Sequence, residues 1–186
     1  MKNLNPTLWR TCRMLAGTTR VRLLRELHTH PGQSVSELAR AVGIKKSDAS
    51  QELRRIQSRG LLRSRRHGAA LIYRMEPDPQ VVSAAPLLRA LNNALSQYPP
   101  ERDAELCRLA HGLAYPRRIA LAQAIIASPQ TQQDLVHALN LPNFAVFSHL
   151  RILMDCGYIR RDQRRFRFML PDHPLASVLV RLLRSA

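Results

Sequence analysis

The sequence predicts a mainly helical α+β fold in which one small domain, made of helices and a β-hairpin, occurs twice. The chain resembles itself at a spacing of 97 residues, and capping residues, glycines and prolines punctuate both halves in the same order. Hydrophobic residues make up 45% of the 186 positions, which is enough for each half to bury a core. We therefore predict two tandem domains, residues 1–98 and 99–186.

The repeat depends on where its identities fall. Nine of the positions from 20 to 63 are identical after the shift of 97, among them Leu24 with Leu121 and Gly60 with Gly157. They lie mainly at apolar helix positions and at a glycine expected to end a helix. Pro99 and Pro100, which a continuous helix does not tolerate, separate the copies.

The first copy predicts five helices and two strands. Ser34 and Glu37 have the spacing of a capping box, and Gly43 and Gly60 are suited to left-handed helix ends. Asp78 is expected to cap the last helix. The predicted helices cover residues 8–16, 20–27, 35–42, 46–59 and 80–96, and the predicted strands cover 61–64 and 71–75.

The second copy predicts the same order of elements. Thr131 takes the capping position and Gly157 the helix-ending position. The predicted helices cover residues 104–112, 117–126, 132–139, 143–155 and 175–184, and the predicted strands cover 158–161 and 166–170.

The charge predicts a polyanionic partner. Lys and Arg number 29 against 13 Asp and Glu, which gives a net charge of +16. The first copy carries 17 minus 6, or +11, and the second carries 12 minus 7, or +5. Nearly all of these cations are arginines, which suit phosphate and guanine contacts, so double-stranded DNA is the first candidate partner.

Helices followed by a hairpin and a further helix are typical of a winged helix-turn-helix. The segment at 36–62, SELARAVGIKKSDASQELRRIQSRGLL, resembles the signature of the ArsR-type winged-helix repressors, and QDLVHALNLPNFAVFSHLRILMDCGYI at 133–159 is a looser version. Such repressors work as homodimers whose first and last helices pack across a two-fold axis. The resemblance therefore implies a transcriptional repressor in which the dimer is fused into one chain as an intramolecular pseudo-dimer.

In the first copy, the helix at 46–59 is the predicted recognition helix. Its polar stripe, opposite Ala49, Leu53 and Ile56, is small near the N-terminus and allows close approach to a major groove. Two lysines at its start oppose the helix dipole and favour phosphate contact instead. The predicted DNA-binding residues of this helix are Lys45, Lys46, Ser47, Ser50, Gln51 and Arg54.

The hairpins supply a second predicted contact, to the DNA backbone or to a narrow minor groove. In the first copy this wing carries Arg63, Arg65, Arg66 and His67, and in the second it carries Arg160, Arg161, Arg164, Arg165 and Arg167.

The second recognition helix departs from the pattern, with Asn143, Phe144, Phe147, Ser148, Arg151 and Asp155 at the matching positions. Three interpretations stay open for the two phenylalanines. They contact thymine methyl groups, they form a protein-docking surface, or they turn into the core. We expect an asymmetric reader whose first copy supplies most of the specificity.

Other function classes find little support in the sequence. A glycine-rich phosphate loop, a nucleophile elbow and an HExxH motif are missing, so we expect no enzyme and no cofactor. The Cys-x-Cys motif and the last-helix His and carboxylate pairs of metal-sensing ArsR relatives are also missing, so no metal site is predicted. RNA binding is an alternative, although aromatic residues are scarce at 5%. A protein-interaction module without operator specificity is another.

The cysteines and the apolar segments indicate a cytoplasmic protein with no membrane partner. The chain contains no run of 18 or more apolar residues and begins without a signal-peptide pattern. Cys12, Cys107 and Cys156 are too scattered for a disulfide framework. The resemblance would bring the first helices of both copies together, but the spacing of Cys12 and Cys107 is 95 rather than 97, so buried thiols are expected.

Overall fold

The computed structural model describes residues 7–185 and divides into two compact units. The first unit is Gly17–Cys107. The second unit combines Thr7–Ala16 with the chain from Arg108 onward. Helix α1, Leu8–Leu15, therefore belongs to the second unit.

The first unit is a helical bundle with a three-stranded antiparallel sheet. Its strands lie in the order β1-β3-β2, so that the hairpin β2–β3 extends from the short strand β1. The elements are α2 Thr18–Thr29, β1 Gln33–Ser34, α3 Val35–Val42, α4 Lys46–Gln57, β2 Arg63–His67, β3 Ala70–Arg74 and α5 Ala84–Gln97, followed by the start of α6 Asp103–Gly112.

The turn between α3 and α4 forms because both ends of α3 are specified locally. The Ser34 hydroxyl accepts a hydrogen bond from the Glu37 backbone N–H, while the Glu37 carboxylate accepts one from the Ser34 N–H. Gly43 ends the helix at φ +71°. The capping box and the left-handed end confirm the prediction for this helix.

The second unit has the same order of elements after α1. Its sheet has the order β4-β6-β5. Thr131 caps α8 through a capping box with Asp134, and Asn140 takes the left-handed position at φ 48°. The elements after α6 are α7 Pro116–Ala127, β4 Gln130–Thr131, α8 Gln132–Leu139, α9 Asn143–Asp155, β5 Ile159–Asp162, β6 Arg165–Phe168 and α10 Pro174–Arg184.

The last helix of the first unit begins later than the sequence predicts. Helix α5 starts at Ala84, and the Asp78 carboxylate accepts from the Gln80 N–H in a preceding turn instead of capping the helix. This turn carries Val81 into the core, where its side chain lies against Gly60 and leaves no space for a Cβ there. Burial of Val81 thus outweighs the helical pattern from Gln80 onward.

The hairpins are also tighter than predicted. The first hairpin turns at 68–69, so Arg65, Arg66 and His67 lie in strand β2 rather than in a loop. The predicted strand at 61–64 starts two residues later, because Leu61 and Leu62 are buried ahead of it. The two-residue strands β1 and β4 were not predicted, since two residues carry no periodic signal.

The division into units differs from the expected boundary at residue 98. Helix α1 packs against α10 and so groups with the second unit. Residues beyond 98 stay with the first unit because Arg25 holds them. Its guanidinium donates to Asp103 Oδ1 at 2.6 Å and to the carbonyls of Leu95 and Tyr98.

Within residues 7–185, every helix is too short or too polar to cross a bilayer.

Candidate nucleic-acid interface

Helix α4 has one buried face and one exposed face. Ala49, Leu53 and Ile56 are fully buried, as predicted. The opposite stripe faces solvent, with Ser50 half-buried. The predicted contact residues on this stripe that are exposed are Lys45, Lys46, Ser47, Gln51 and Arg54.

The buried edge of α4 is fixed by an ion-pair cluster that the sequence analysis missed. Glu52 Oε2 accepts from Arg20 Nη1 of α2 at 2.6 Å, and Oε1 accepts from Arg55. The side chains of Arg20 and Glu52 are only 18% and 16% exposed, so this pair is better shielded than a surface pair. Gln57 donates to the Ser64 hydroxyl at 3.1 Å. These contacts hold the helix against α2 and the hairpin.

The start of α4 is electropositive. Lys45 occupies the N-cap position without a side-chain capping bond, and Lys46 follows it. Asp48, the acid of the first turn, accepts from the Ser47 hydroxyl at 3.3 Å. Two exposed ammonium groups beside free helix N–H groups form a surface that favours an anion.

The first wing presents arginine side chains on both faces of β2. Arg63, Arg65 and His67 alternate with Ser64 and Arg66, and all but Ser64 are exposed. Residues 63–74 contain no Asp or Glu. Within the described part of the chain, these arginines make no side-chain hydrogen bond or ion pair, so their guanidinium groups are available to a ligand.

Strand register places two like charges opposite each other in this wing. Arg63 on β2 pairs with Arg74 on β3, and both are exposed. Like charges directly across a sheet are destabilising, and a bound anion would relieve the repulsion. Sequence reasoning missed Arg74 because only the register, set by the two-residue turn, brings it beside Arg63.

Helix α9 presents a different surface. Val146, Leu150 and Leu153 face the core, whereas Phe144 is 81% exposed and Phe147 is 54% exposed. The interpretation that the phenylalanines turn into the core is therefore wrong. The buried face of α9 is already formed by its aliphatic residues, which leaves no room in the core for two aromatic rings.

The remaining predicted residues of α9 lie beside the phenylalanines. Arg151 and Asn143 are exposed, and Ser148 is half-buried. The Asn143 amide oxygen accepts from Gln132 Nε2 at 2.5 Å, so Asn143 is partly occupied within the unit.

The second wing is partly neutralised within itself. Arg167 Nε lies 3.0 Å from Asp162 Oδ2, and Arg165 donates to the Pro129 carbonyl at 3.0 Å. Arg161 donates to the Gln163 carbonyl in the turn. All five predicted arginines are exposed, and Arg160 and Arg164 have no hydrogen-bond or ion-pair partner among the described residues. The first wing therefore offers more free positive charge than the second.

The second unit also lacks an equivalent of the Glu52 ion pair. His149 stands at the position of Glu52, and its Nδ1 is buried without a hydrogen-bond partner. Its ring lies 5.3 Å from that of Tyr115. Burial, with help from Arg118 and Arg117, lowers the pKa of His149 below its usual range. A neutral His149 thus stands where the first unit has the ion-paired Glu52.

Clusters of three or more metal-ligating side chains are not present among residues 7–185. Two histidines that the sequence places near each other have other partners. The ring nitrogens of His28 contact Asn92 and Ser96, and His30 contacts Glu26 at 3.0 Å.

The three cysteines are free and buried. Burial raises the pKa of the Cys12 thiol far above its usual range, although Arg118 opposes this. Burial and the Asp103 carboxylate raise the pKa of Cys107 to about 11, and burial raises that of Cys156. All three are poor nucleophiles at neutral pH.

We expect all three thiols of the native protein to resist Ellman's reagent at pH 8, because few are ionised and none is accessible. Complete reaction should follow in denaturant. Rapid reaction of one thiol in the native protein would contradict this account. So would an oxidant effect on DNA binding that Cys12→Ser removes.

The first unit contains a helix-turn-helix whose second helix exposes a polar stripe, and an arginine-rich hairpin follows it. This arrangement is that of a winged helix-turn-helix DNA-binding regulator. Known proteins match this description. The MarR family matches residues 17–70, which lie in the first unit.

Curated relatives include a probable mercury resistance operon repressor of Streptomyces lividans, 32% identical over 93 residues, which are 49% of this chain and 74% of the relative. The transcriptional repressor SmtB of Mycobacterium tuberculosis is 35% identical over 89 residues, 44% of this chain and 64% of SmtB. The transcriptional regulator KmtR of the same organism is 42% identical over 66 residues, 36% of this chain and 50% of KmtR.

The chain belongs to the family of winged helix-turn-helix regulators that includes this mercury resistance operon repressor. The relatives are regulators of transcription rather than enzymes. Each match spans half of this chain or less.

Proposed function

We propose that this protein is a sequence-specific, double-stranded DNA-binding repressor that acts in the cytoplasm as an internal pseudo-dimer. Its two recognition helices, α4 and α9, enter the major groove at two half-sites. The hairpins contact the backbone or the minor groove on either side. The half-sites lie about 10 bp apart, one helical turn, so that both helices reach the same face of the duplex.

The observation that carries this proposal is the first wing. Four exposed arginines of this wing, Arg63, Arg65, Arg66 and Arg74, have no ion-pair partner within the described residues, and two exposed lysines begin α4 of the same unit. In the unbound protein such a concentration of positive charge is only repulsive, whereas a phosphate backbone would neutralise it. The relationship to known repressors supports DNA as the source of the phosphates.

The two copies contribute unequally in this proposal. The first copy offers hydrogen-bonding groups, Gln51 and Arg54, to base edges and carries a wing with free charge. The second offers a stripe with two exposed phenylalanines and a wing in which Asp162 pairs with one arginine. The operator is therefore an imperfect palindrome.

RNA is the alternative polyanion, and competition distinguishes the two. A labelled 30-bp DNA duplex bound to the protein is titrated with unlabelled duplex DNA and with duplex RNA of matching sequence. We expect DNA to compete at least tenfold better, because an α-helix does not fit the deep, narrow major groove of A-form RNA. Equal or better competition by RNA would contradict the proposal.

A further inference from the structure

Helix α9 carries an exposed aromatic surface, Phe144 and Phe147, that the polar recognition of bases does not use. The rings are 81% and 54% exposed, and they lie three residues apart, so both are on the same face of the helix. Ser148 and Arg151 extend this face by one turn. Exposing two aromatic rings to water is unfavourable in free energy, and such exposed apolar surface often marks a binding site.

The charge around the rings indicates what covers them. The first turn of α9 contains no acid, and its free N–H groups carry the positive end of the helix dipole. Arg151 lies one to two turns further along the same face, and Asp155 is the first acid of the helix. Arg160 and Arg164 of the wing add unpaired positive charge to the same unit. An exposed apolar surface beside Arg151 and the positive end of the helix suits a partner that combines apolar groups with negative charge.

The major groove of DNA has this composition. Phosphates line its edges, and the thymine C5-methyl is the apolar group among the donors and acceptors on its floor. A side chain such as phenylalanine contacts that methyl group, and the small Ser148 beside it allows close approach. A protein partner would instead meet Arg151 and the positive end of the helix, with no acid in the first three turns.

Corresponding positions in the two copies sharpen the comparison. Ser47 and Ser50 of α4 lie 97 residues before Phe144 and Phe147, and Arg54 lies 97 residues before Arg151. The arginine is common to both stripes, and the serines of one are phenylalanines in the other. The two helices thus differ in which chemical groups of the base edge they can contact.

From this we infer that Phe144 and Phe147 of α9 read thymine methyl groups, so that the half-site of the second unit is thymine-rich. The inference rests on the proposed DNA binding. It assigns to the second copy a readout through methyl contact, where the first copy reads through hydrogen bonds.

Uracil substitution tests the inference, because deoxyuridine lacks only the methyl group and keeps the pairing edge of thymine. A bound duplex is prepared with thymines, and with uracils in one half-site at a time. The half-site whose preference survives Gln51→Ala with Arg54→Ala belongs to the second unit. We expect uracil there to weaken binding about fourfold for each contacted methyl, and uracil in the other half-site to leave affinity within twofold.

The variant Phe144→Ala with Phe147→Ala completes the test. It should bind the thymine duplex more weakly than the native protein does and should no longer distinguish thymine from uracil. Both side chains are exposed, so the fold should persist, as a thermal melt would verify. Leu170→Ala, which removes another exposed apolar side chain of the same unit, is the matched control and should keep full discrimination.

The outcomes separate this inference from the proposed function. Specific binding with no difference between thymine and uracil overturns the methyl readout and leaves DNA binding intact. Unchanged affinity of the Phe144→Ala, Phe147→Ala variant for both duplexes also overturns it, because the rings then do not contact the DNA. Failure of the native protein to bind any duplex above background overturns both.

Discussion

Replacing Gln51 and Arg54 together with alanine is expected to abolish the sequence preference at the half-site that α4 contacts. Both side chains are exposed on the outer stripe of α4, where a long polar group reaches a base edge. Each bidentate base contact contributes about 1–3 kcal/mol of discrimination. Losing two should therefore lower the ratio of specific to non-specific affinity by roughly thirtyfold to ten-thousandfold. Anisotropy titrations with operator and scrambled duplexes measure that ratio.

The second copy supplies the matched control for this experiment. Ser148→Ala with Arg151→Ala changes the corresponding positions of α9. It should reduce specificity less than the α4 variant does, because Ser148 is short and half-buried. An equal loss from both variants would contradict the asymmetry between the copies. Thermal melts of both variants should match that of the native protein, since the altered side chains are not part of the core.

Removing the charge of the first wing is expected to weaken binding to all sequences alike. Arg63→Ala, Arg65→Ala and Arg66→Ala together eliminate three exposed guanidinium groups without disturbing an ion pair within the described chain. If each contacts a phosphate, the slope of log K against log salt becomes shallower by about 0.9 per arginine. At 0.1 M salt the affinity should fall by roughly two to three decades.

Two comparisons make the wing experiment specific. Arg89→Ala removes an exposed arginine from α5, outside the wing, and should leave the salt slope within half a unit of the native value. Arg161→Ala, Arg165→Ala and Arg167→Ala change the second wing, where these side chains already have partners, and should have a smaller effect. A wing variant whose salt slope is unchanged would show that these arginines do not contact phosphate.

Local signals were sufficient to predict most helices. Capping boxes at Ser34 and Thr131, and glycines at 43 and 60, specify helix ends through bonds within a few residues. The bounds of α3 and α8 agree with prediction for this reason, and those of α9 agree although no side chain caps its start. Tertiary packing decided the exceptions. The segment predicted as the first turn of helix α5 is instead a separate turn, since the Val81 side chain packs over Gly60.

The candidate site divides in the same way. The exposure of the α4 stripe follows from the buried residues at helical spacing on the opposite face, so the periodicity of the sequence predicted this exposure. Glu52 forms an ion pair with Arg20, which lies 32 residues earlier, and Arg74 lies opposite Arg63 on the neighbouring strand. No local sequence pattern reveals either pairing. The sequence left the exposure of Phe144 and Phe147 open, because their positions match the outer stripe of α4 whereas an aromatic residue on a helix is more often buried than exposed.

Selection of bound sequences from a random duplex pool tests the central claim most directly. The account predicts one defined site of two half-sites about 10 bp apart, unlike each other, with the more stringent half lost in the Gln51→Ala and Arg54→Ala variant. Enrichment of no sequence above the starting pool would contradict it, as would a fully symmetric site in which both halves survive that variant equally.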